Sequence, residues 1–119
     1  MDEPAGAPID VVVIGLGYVG LPLAQETCSS GLSVAGLDRN ADVVTGLRTG
    51  RSHVDDLSDA DIVAMVARGF EATTDPGILA RARTVVICVP TPLTEEGGPD
   101  LTAVLAAADD VAAWLRPGT

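Results

Sequence analysis

A β-branched run, Ile9-Asp10-Val11-Val12-Val13-Ile14, passes directly into three glycines spaced two and three apart, Gly15-Leu16-Gly17-Tyr18-Val19-Gly20. A short, nearly continuous apolar run of this kind is the pattern of a buried strand. Tyr18 to Ser30 then has helical spacing, with Val19, Leu23 and Thr27 on one face, and stops at Ser29-Ser30-Gly31. Strand, glycine turn and helix in that order leave few folds open. Gly15 permits the tight turn, Gly17 lets a pyrophosphate approach the backbone, and Gly20 lets the helix pack closely on the sheet. The amides near Tyr18 and Val19 point toward such a phosphate, helped by the helix dipole. Pro22 falls in the first helical turn, where a missing N–H costs little.

The same alternation continues. Ser33 to Leu37 reads as a second strand and Ala41 to Arg48 as a second helix. Ser58-Asp59-Ala60-Asp61 resembles a capping box and opens a helix to about Arg68. Phe70 to Thr73 is a short third strand. Asp75-Pro76 caps a brief helix to Ala82, and Thr84 to Val89 is the fourth strand. Glu95 to Pro99 is a loop, and Asp100 caps an alanine-rich helix to about Leu115. Strands alternating with helices at short spacing imply parallel βαβ units. The expected fold is therefore α/β, a Rossmann-type doubly wound parallel sheet in the order 3-2-1-4, truncated after about four strands. Residues 1–8 are expected to be a disordered N-terminal tail, and residues 9–119 the N-terminal part of a dinucleotide-binding domain.

Asp38 ends the second strand 18 residues past Gly20, near the spacing at which an acid accepts hydrogen bonds from an adenosine ribose. A carboxylate there also repels a 2′-phosphate, which favours NAD over NADP. Arg39 beside it leaves two readings open: it stacks on adenine, or it meets a 2′-phosphate.

Charge narrows the partners further. The chain has 17 acidic and 7 basic side chains, a net charge of −10, and no lysine, so it lacks the basic face that nucleic-acid binding needs. The acidic N-terminus, Met1-Asp2-Glu3-Pro4, is the wrong charge for a signal peptide. The apolar stretch Val11 to Ala24 is broken by three glycines and a proline and is too short to span a bilayer. A cytoplasmic protein without a membrane or nucleic-acid partner is expected.

The stretch Val11-Val12-Val13-Ile14-Gly15-Leu16-Gly17-Tyr18-Val19-Gly20-Leu21-Pro22-Leu23-Ala24 resembles the opening of the UDP-glucose/GDP-mannose dehydrogenase family. Gly36-Leu37-Asp38-Arg39-Asn40, Ala72-Thr73-Thr74-Asp75 and Cys88-Val89-Pro90-Thr91-Pro92-Leu93 agree with it in order. The last stretch and Pro99-Asp100-Leu101 are similar to the subgroup acting on UDP-N-acetylglucosamine or UDP-N-acetylmannosamine. The resemblance implies oxidation of a UDP-sugar C6 alcohol to the carboxylate in two steps with two NAD. It implies that Gly15, Gly17, Gly20 and the Tyr18 and Val19 amides hold the pyrophosphate, and Asp38 the ribose. Thr91 would offer a hydroxyl toward the cofactor; the competing reading is an ST-turn between two prolines. The family's catalytic cysteine, catalytic lysine and sugar-binding domain lie in later segments. The chain is thus expected to be an inactive fragment of the cofactor domain, with no catalytic residue of its own. Two alternatives stand beside it: the NAD domain of a 3-hydroxyacyl-CoA or 6-phosphogluconate dehydrogenase, and a non-catalytic NAD-binding regulatory module.

Other candidates are set aside. Cys88 is read as a small buried apolar residue. Cys28 lies about 16 Å along the first helix from Gly17, too far to bridge Cys88. His53 with Asp55, Asp56, Asp59 and Asp61 matches no metal-ligand spacing and reads as a solvated acidic face. Asp109-Asp110 reads as helix surface. Val85, Val86, Ile87 and Val89 would form an exposed apolar edge, so self-association, a homo-oligomer, is expected.

Overall fold

The computed structural model describes residues 7–119. The expected tail therefore falls mostly outside the described residues; of its last two, Ala7 accepts a hydrogen bond at its carbonyl from Arg81 Nε at 3.0 Å.

Four strands, β1 (Ile9–Ile14), β2 (Val34–Leu37), β3 (Glu71–Thr73) and β4 (Ala82–Ile87), form one parallel sheet in the order β3-β2-β1-β4. Period-two alternation along β1 sorts the core into two layers. Val13 faces Leu21, Ala24, Cys28, Val44, Ile62 and Met65, contributed by helices α1 (Gly20–Ser29), α2 (Ala41–Arg48) and α3 (Asp59–Ala67). Val12 and Ile14 face the other way, toward Ile78 and Leu79 of a 3-10 segment, Pro76–Arg81, and Ala107 of helix α4 (Thr102–Trp114). Helices on both faces of a parallel sheet make the doubly wound fold, in the expected strand order.

The local signals act as their chemistry requires. Ser58 Oγ accepts from the Asp61 amide while Asp61 Oδ2 accepts from the Ser58 amide, a closed capping box. Asp75 accepts from the Gly77 amide at the start of the 3-10 segment. Asn40 caps α2 by accepting from the Asp42 and Val43 amides.

Three boundaries differ from expectation. Helix α1 begins at Gly20, not Tyr18, and buries Gly20, Leu21, Ala24 and Cys28 instead of the Val19–Leu23–Thr27 face. Small residues face the sheet because Gly20 draws the helix in; Val19 is left 71% exposed. Strand β4 runs Ala82–Ile87, two residues earlier than read, because its pairing starts at Ile9↔Ala82. Helix α4 starts at Thr102; Asp100 stands one residue before the cap and accepts from both the amide and the hydroxyl of Thr102. Those two bonds, the hydroxyl's the stronger, hold the Asp100 carboxyl below the usual range. Around the loop expected at Glu95 to Pro99, Leu93 and Pro99 pair antiparallel, so the segment folds back as a small hairpin.

Candidate functional site

The carboxyl ends of β1, β2 and β4 meet around the glycine turn. The Gly15 amide donates to Leu37 O at 2.8 Å and the Cys88 amide to Ile14 O at 2.7 Å, so the ladder continues to the turn from both sides. Gly15 has φ +94°, and a Cβ there would lie 2.6 Å from Cys88 O; only glycine fits. At Gly20 a Cβ would strike the Gly15 carbonyl. Around Gly17 nothing lies within 4 Å of where a Cβ would be. The first and third glycines are thus demanded by packing, and the second faces open space.

Leu16, between the first two glycines, is fastened on three sides. Its amide donates to Asp38 Oδ2 at 2.9 Å. Its carbonyl accepts from His53 Nε2; a carbonyl only accepts, so that nitrogen carries the proton. Its side chain is fully buried against Gly36 of β2, where a Cβ would lie 2.6 Å from Leu16 Cδ1. Beyond this anchor the turn is open: Tyr18 is 68% exposed, and the amides of Gly17, Tyr18 and Val19 donate to nothing among the described residues. Three unspent N–H groups at a helix N-terminus beside a clear space form a cradle for an anion.

Asp38 is half-buried, and its Oδ1 accepts from the Asn40 amide at 2.9 Å. Each oxygen takes one backbone bond and keeps capacity for another. Next to it opens a cavity of about 140 Å³ with an apolar lining that includes Ile14, Leu37, Val89, Pro90 and Ala107. Arg39 and Asp110 stand at the same cavity, Nη2 to Oδ2 at 3.7 Å. Asp110 is therefore not plain helix surface, as its sequence position had implied. A larger groove, about 470 Å³, lies by β3 under Arg48 and Arg81 and contains none of the turn residues.

Thr91 lies past β4, exposed, and its hydroxyl makes no hydrogen bond among the described residues, so the ST-turn reading does not hold. It does not line the cavity beside Asp38, although Val89 and Pro90 do. Cys88 is half-buried against the turn, and desolvation raises its thiol pKa; Cys28 is buried, and both are free. His53 was the functional contact missed in the sequence: it serves the turn, not a solvated acidic face. Of its acidic neighbours, Asp59 accepts from the Ser52 amide and Asp61 closes the capping box. No group of three His, Cys, Asp or Glu side chains among the described residues is placed to hold a metal ion, and none of the described helices is long and apolar enough to cross a membrane.

An open anion cradle at a helix N-terminus, a carboxylate at the end of β2 and an apolar slot beyond it define a dinucleotide-binding domain. Residues 9–119 match the model of the UDP-glucose/GDP-mannose dehydrogenase family, NAD binding domain, and the chain belongs to that family. It is 36% identical over 110 residues to UDP-N-acetyl-D-mannosamine dehydrogenase of Salmonella typhi, covering 91% of this chain and 26% of that protein. It is 38% identical over 111 residues to NDP-N-acetyl-D-galactosaminuronic acid dehydrogenase of Ralstonia solanacearum, covering 91% and 25%. The solved UDP-D-ManNAc dehydrogenase of Pyrococcus horikoshii superposes with TM-score 0.86 at 31% identity, over 93% of this chain and 27% of that one. The chain thus spans only a fraction of the length of these relatives, their cofactor-binding portion. NAD is the cofactor of this domain.

Proposed function

We propose that the chain holds the adenosine and pyrophosphate half of NAD for an enzyme that oxidises the C6 alcohol of a UDP-N-acetylhexosamine to the carboxylate. The observation that carries the reading is the contrast within one turn: Leu16 is fastened by Asp38, His53 and Gly36, while Gly17 faces open space with three unspent amides. The pyrophosphate fits that cradle, the ribose hydroxyls fit the free lone pairs of Asp38, and the adenine fits the apolar slot between Leu37 and Val89. Thr91, exposed on the loop after β4, offers its hydroxyl toward the cofactor in this reading.

When bound, NAD supplies a hydride acceptor. The overall change takes one alcohol, one water and two NAD⁺ to one carboxylate, two NADH and three protons. The residues here bind and orient; none of them is assigned a chemical step. The substrate class follows from the names of the two relatives and from Pro90-Thr91-Pro92-Leu93.

Calorimetric titration with ADP-ribose and NAD, beside an NADH absorbance assay with UDP-N-acetylglucosamine and UDP-N-acetylmannosamine, tests this. ADP-ribose and NAD should bind about equally, and neither sugar should produce NADH with this chain alone. Binding of neither ligand overturns the cofactor site; turnover by the purified chain overturns the confinement of its role to binding.

A further inference from the structure

Resting on the NAD reading above, one contact at the adenosine end is given no role by that reading, the pair Arg39–Asp110. Arg39 follows Asp38 at the end of β2; Asp110, on α4, lines the same cavity of about 140 Å³. Their side chains approach to 3.7 Å, with Arg39 72% exposed and Asp110 25%. Arg39 is the one cation lining that cavity, whose lining also holds the carboxylates of Asp38 and Asp110.

That arrangement treats the two nicotinamide cofactors differently. A ribose 2′-hydroxyl donates to Asp38 and meets no penalty. A 2′-phosphate, close to dianionic, meets the Asp38 carboxylate and a guanidinium already engaged by Asp110. An arginine beside the ribose would ordinarily offset the phosphate with a paired, planar contact. Here Asp110 already draws that guanidinium toward α4.

The geometry points to Asp110 as a positioning residue for cofactor choice: by pairing with Arg39 at the adenosine pocket, it keeps the guanidinium from serving a 2′-phosphate and so favours NAD over NADP. Arg39 is largely exposed, so water screens the pair and the effect is modest, about three- to ten-fold in relative affinity.

The test is calorimetric titration of NAD, NADP and ADP-ribose against the whole chain and three variants. Asp110→Asn should shift the NADP-to-NAD affinity ratio toward NADP by about three- to ten-fold. Asp110→Glu, which keeps the charge, should hold the wild-type ratio. Adding Arg39→Gln to Asp110→Asn should remove the gain, because the gain acts through the freed guanidinium. An unchanged ratio in Asp110→Asn, or a gain that survives loss of Arg39, overturns the assignment while leaving the NAD site intact. A wild-type chain that binds neither NAD nor ADP-ribose overturns both.

Discussion

The Leu16 amide and the Asp38 carboxylate are joined at 2.9 Å, so the acid that ends β2 holds the glycine turn that follows β1. Asp38 therefore has two duties, one to the fold and one to the cofactor. Asp38→Ala should leave the part-buried Leu16 amide without its acceptor and lower stability by about 1–3 kcal/mol. NAD binding should weaken by about ten- to a hundred-fold, with a smaller loss for NADP because the repulsion is also gone. Thermal melts and paired titrations check the two parts separately. An unchanged melting temperature would deny the first duty, and equal losses for both cofactors the second.

The glycines divide the same way. Gly17→Ala should fold as stably as the parent, since its Cβ meets nothing, yet weaken ADP-ribose binding at least ten-fold by intruding where the pyrophosphate lies. Gly20→Ala should be lost from the soluble fraction or melt much earlier, because its Cβ strikes the Gly15 carbonyl backbone. Circular dichroism melts of both variants beside a titration of Gly17→Ala decide this.

Acid sensitivity has a local source at the opposite end of β1. The Ser33 amide and hydroxyl region lowers the Asp10 pKa; Asp10 Oδ2 accepts from the Ser33 amide at 2.9 Å. Because the folded value is depressed, this contribution is whole above the ordinary aspartate pKa. It declines as pH falls below that value and is gone beneath the depressed one. Asp10→Ala should therefore be less stable than the parent near neutrality, with the gap closing in strong acid. Urea denaturation across the acid range measures it; a gap independent of pH would remove Asp10 as the source.

Cys88 should label slowly. Its thiol pKa is raised by desolvation against the glycine turn, so little thiolate exists at neutral pH. Thiol-reagent kinetics should show a rate below that of a free cysteine, climbing as pH rises. Faster labelling than free cysteine would mean that the turn activates this sulfur instead.

Among the described residues the outer edge of β4 has no strand beside it, and Ile87 is 42% exposed there. Unpaired edges of this kind template pairing with another chain. The isolated chain should self-associate with rising concentration in light scattering despite its net charge of −10. A monodisperse monomer at high concentration would show that charge outweighs the edge.

What could be read from the sequence was whatever a single stretch of backbone demands. Gly15 and Gly20 are required within a few residues of themselves, and Asp38 sits at a spacing set by one βαβ unit. The sheet order followed from the same units. What could not be read came from contacts between distant segments. His53 meets Leu16 across 37 residues, and Asp110 meets Arg39 from the far end of the fold; neither leaves a local pattern. The buried face of α1 was misjudged for a related reason. Hydrophobicity picked out Val19 and Leu23, but close approach to the sheet rewards Ala24 and Cys28, whose value lies in being small.

The three-sided fastening of Leu16 carries a thermodynamic consequence. Fixing a residue's backbone into one conformation costs roughly 1–2 kcal/mol of conformational entropy. At this turn the ordering is completed during folding, through a carboxylate, an imidazole and a buried leucine side chain. An arriving dinucleotide meets a phosphate cradle that is already set, so its binding free energy is not drained by organising the loop. The Leu16 amide should accordingly be protected from solvent exchange before any ligand is added, while its neighbours at Gly17 and Tyr18 gain protection only when one is present.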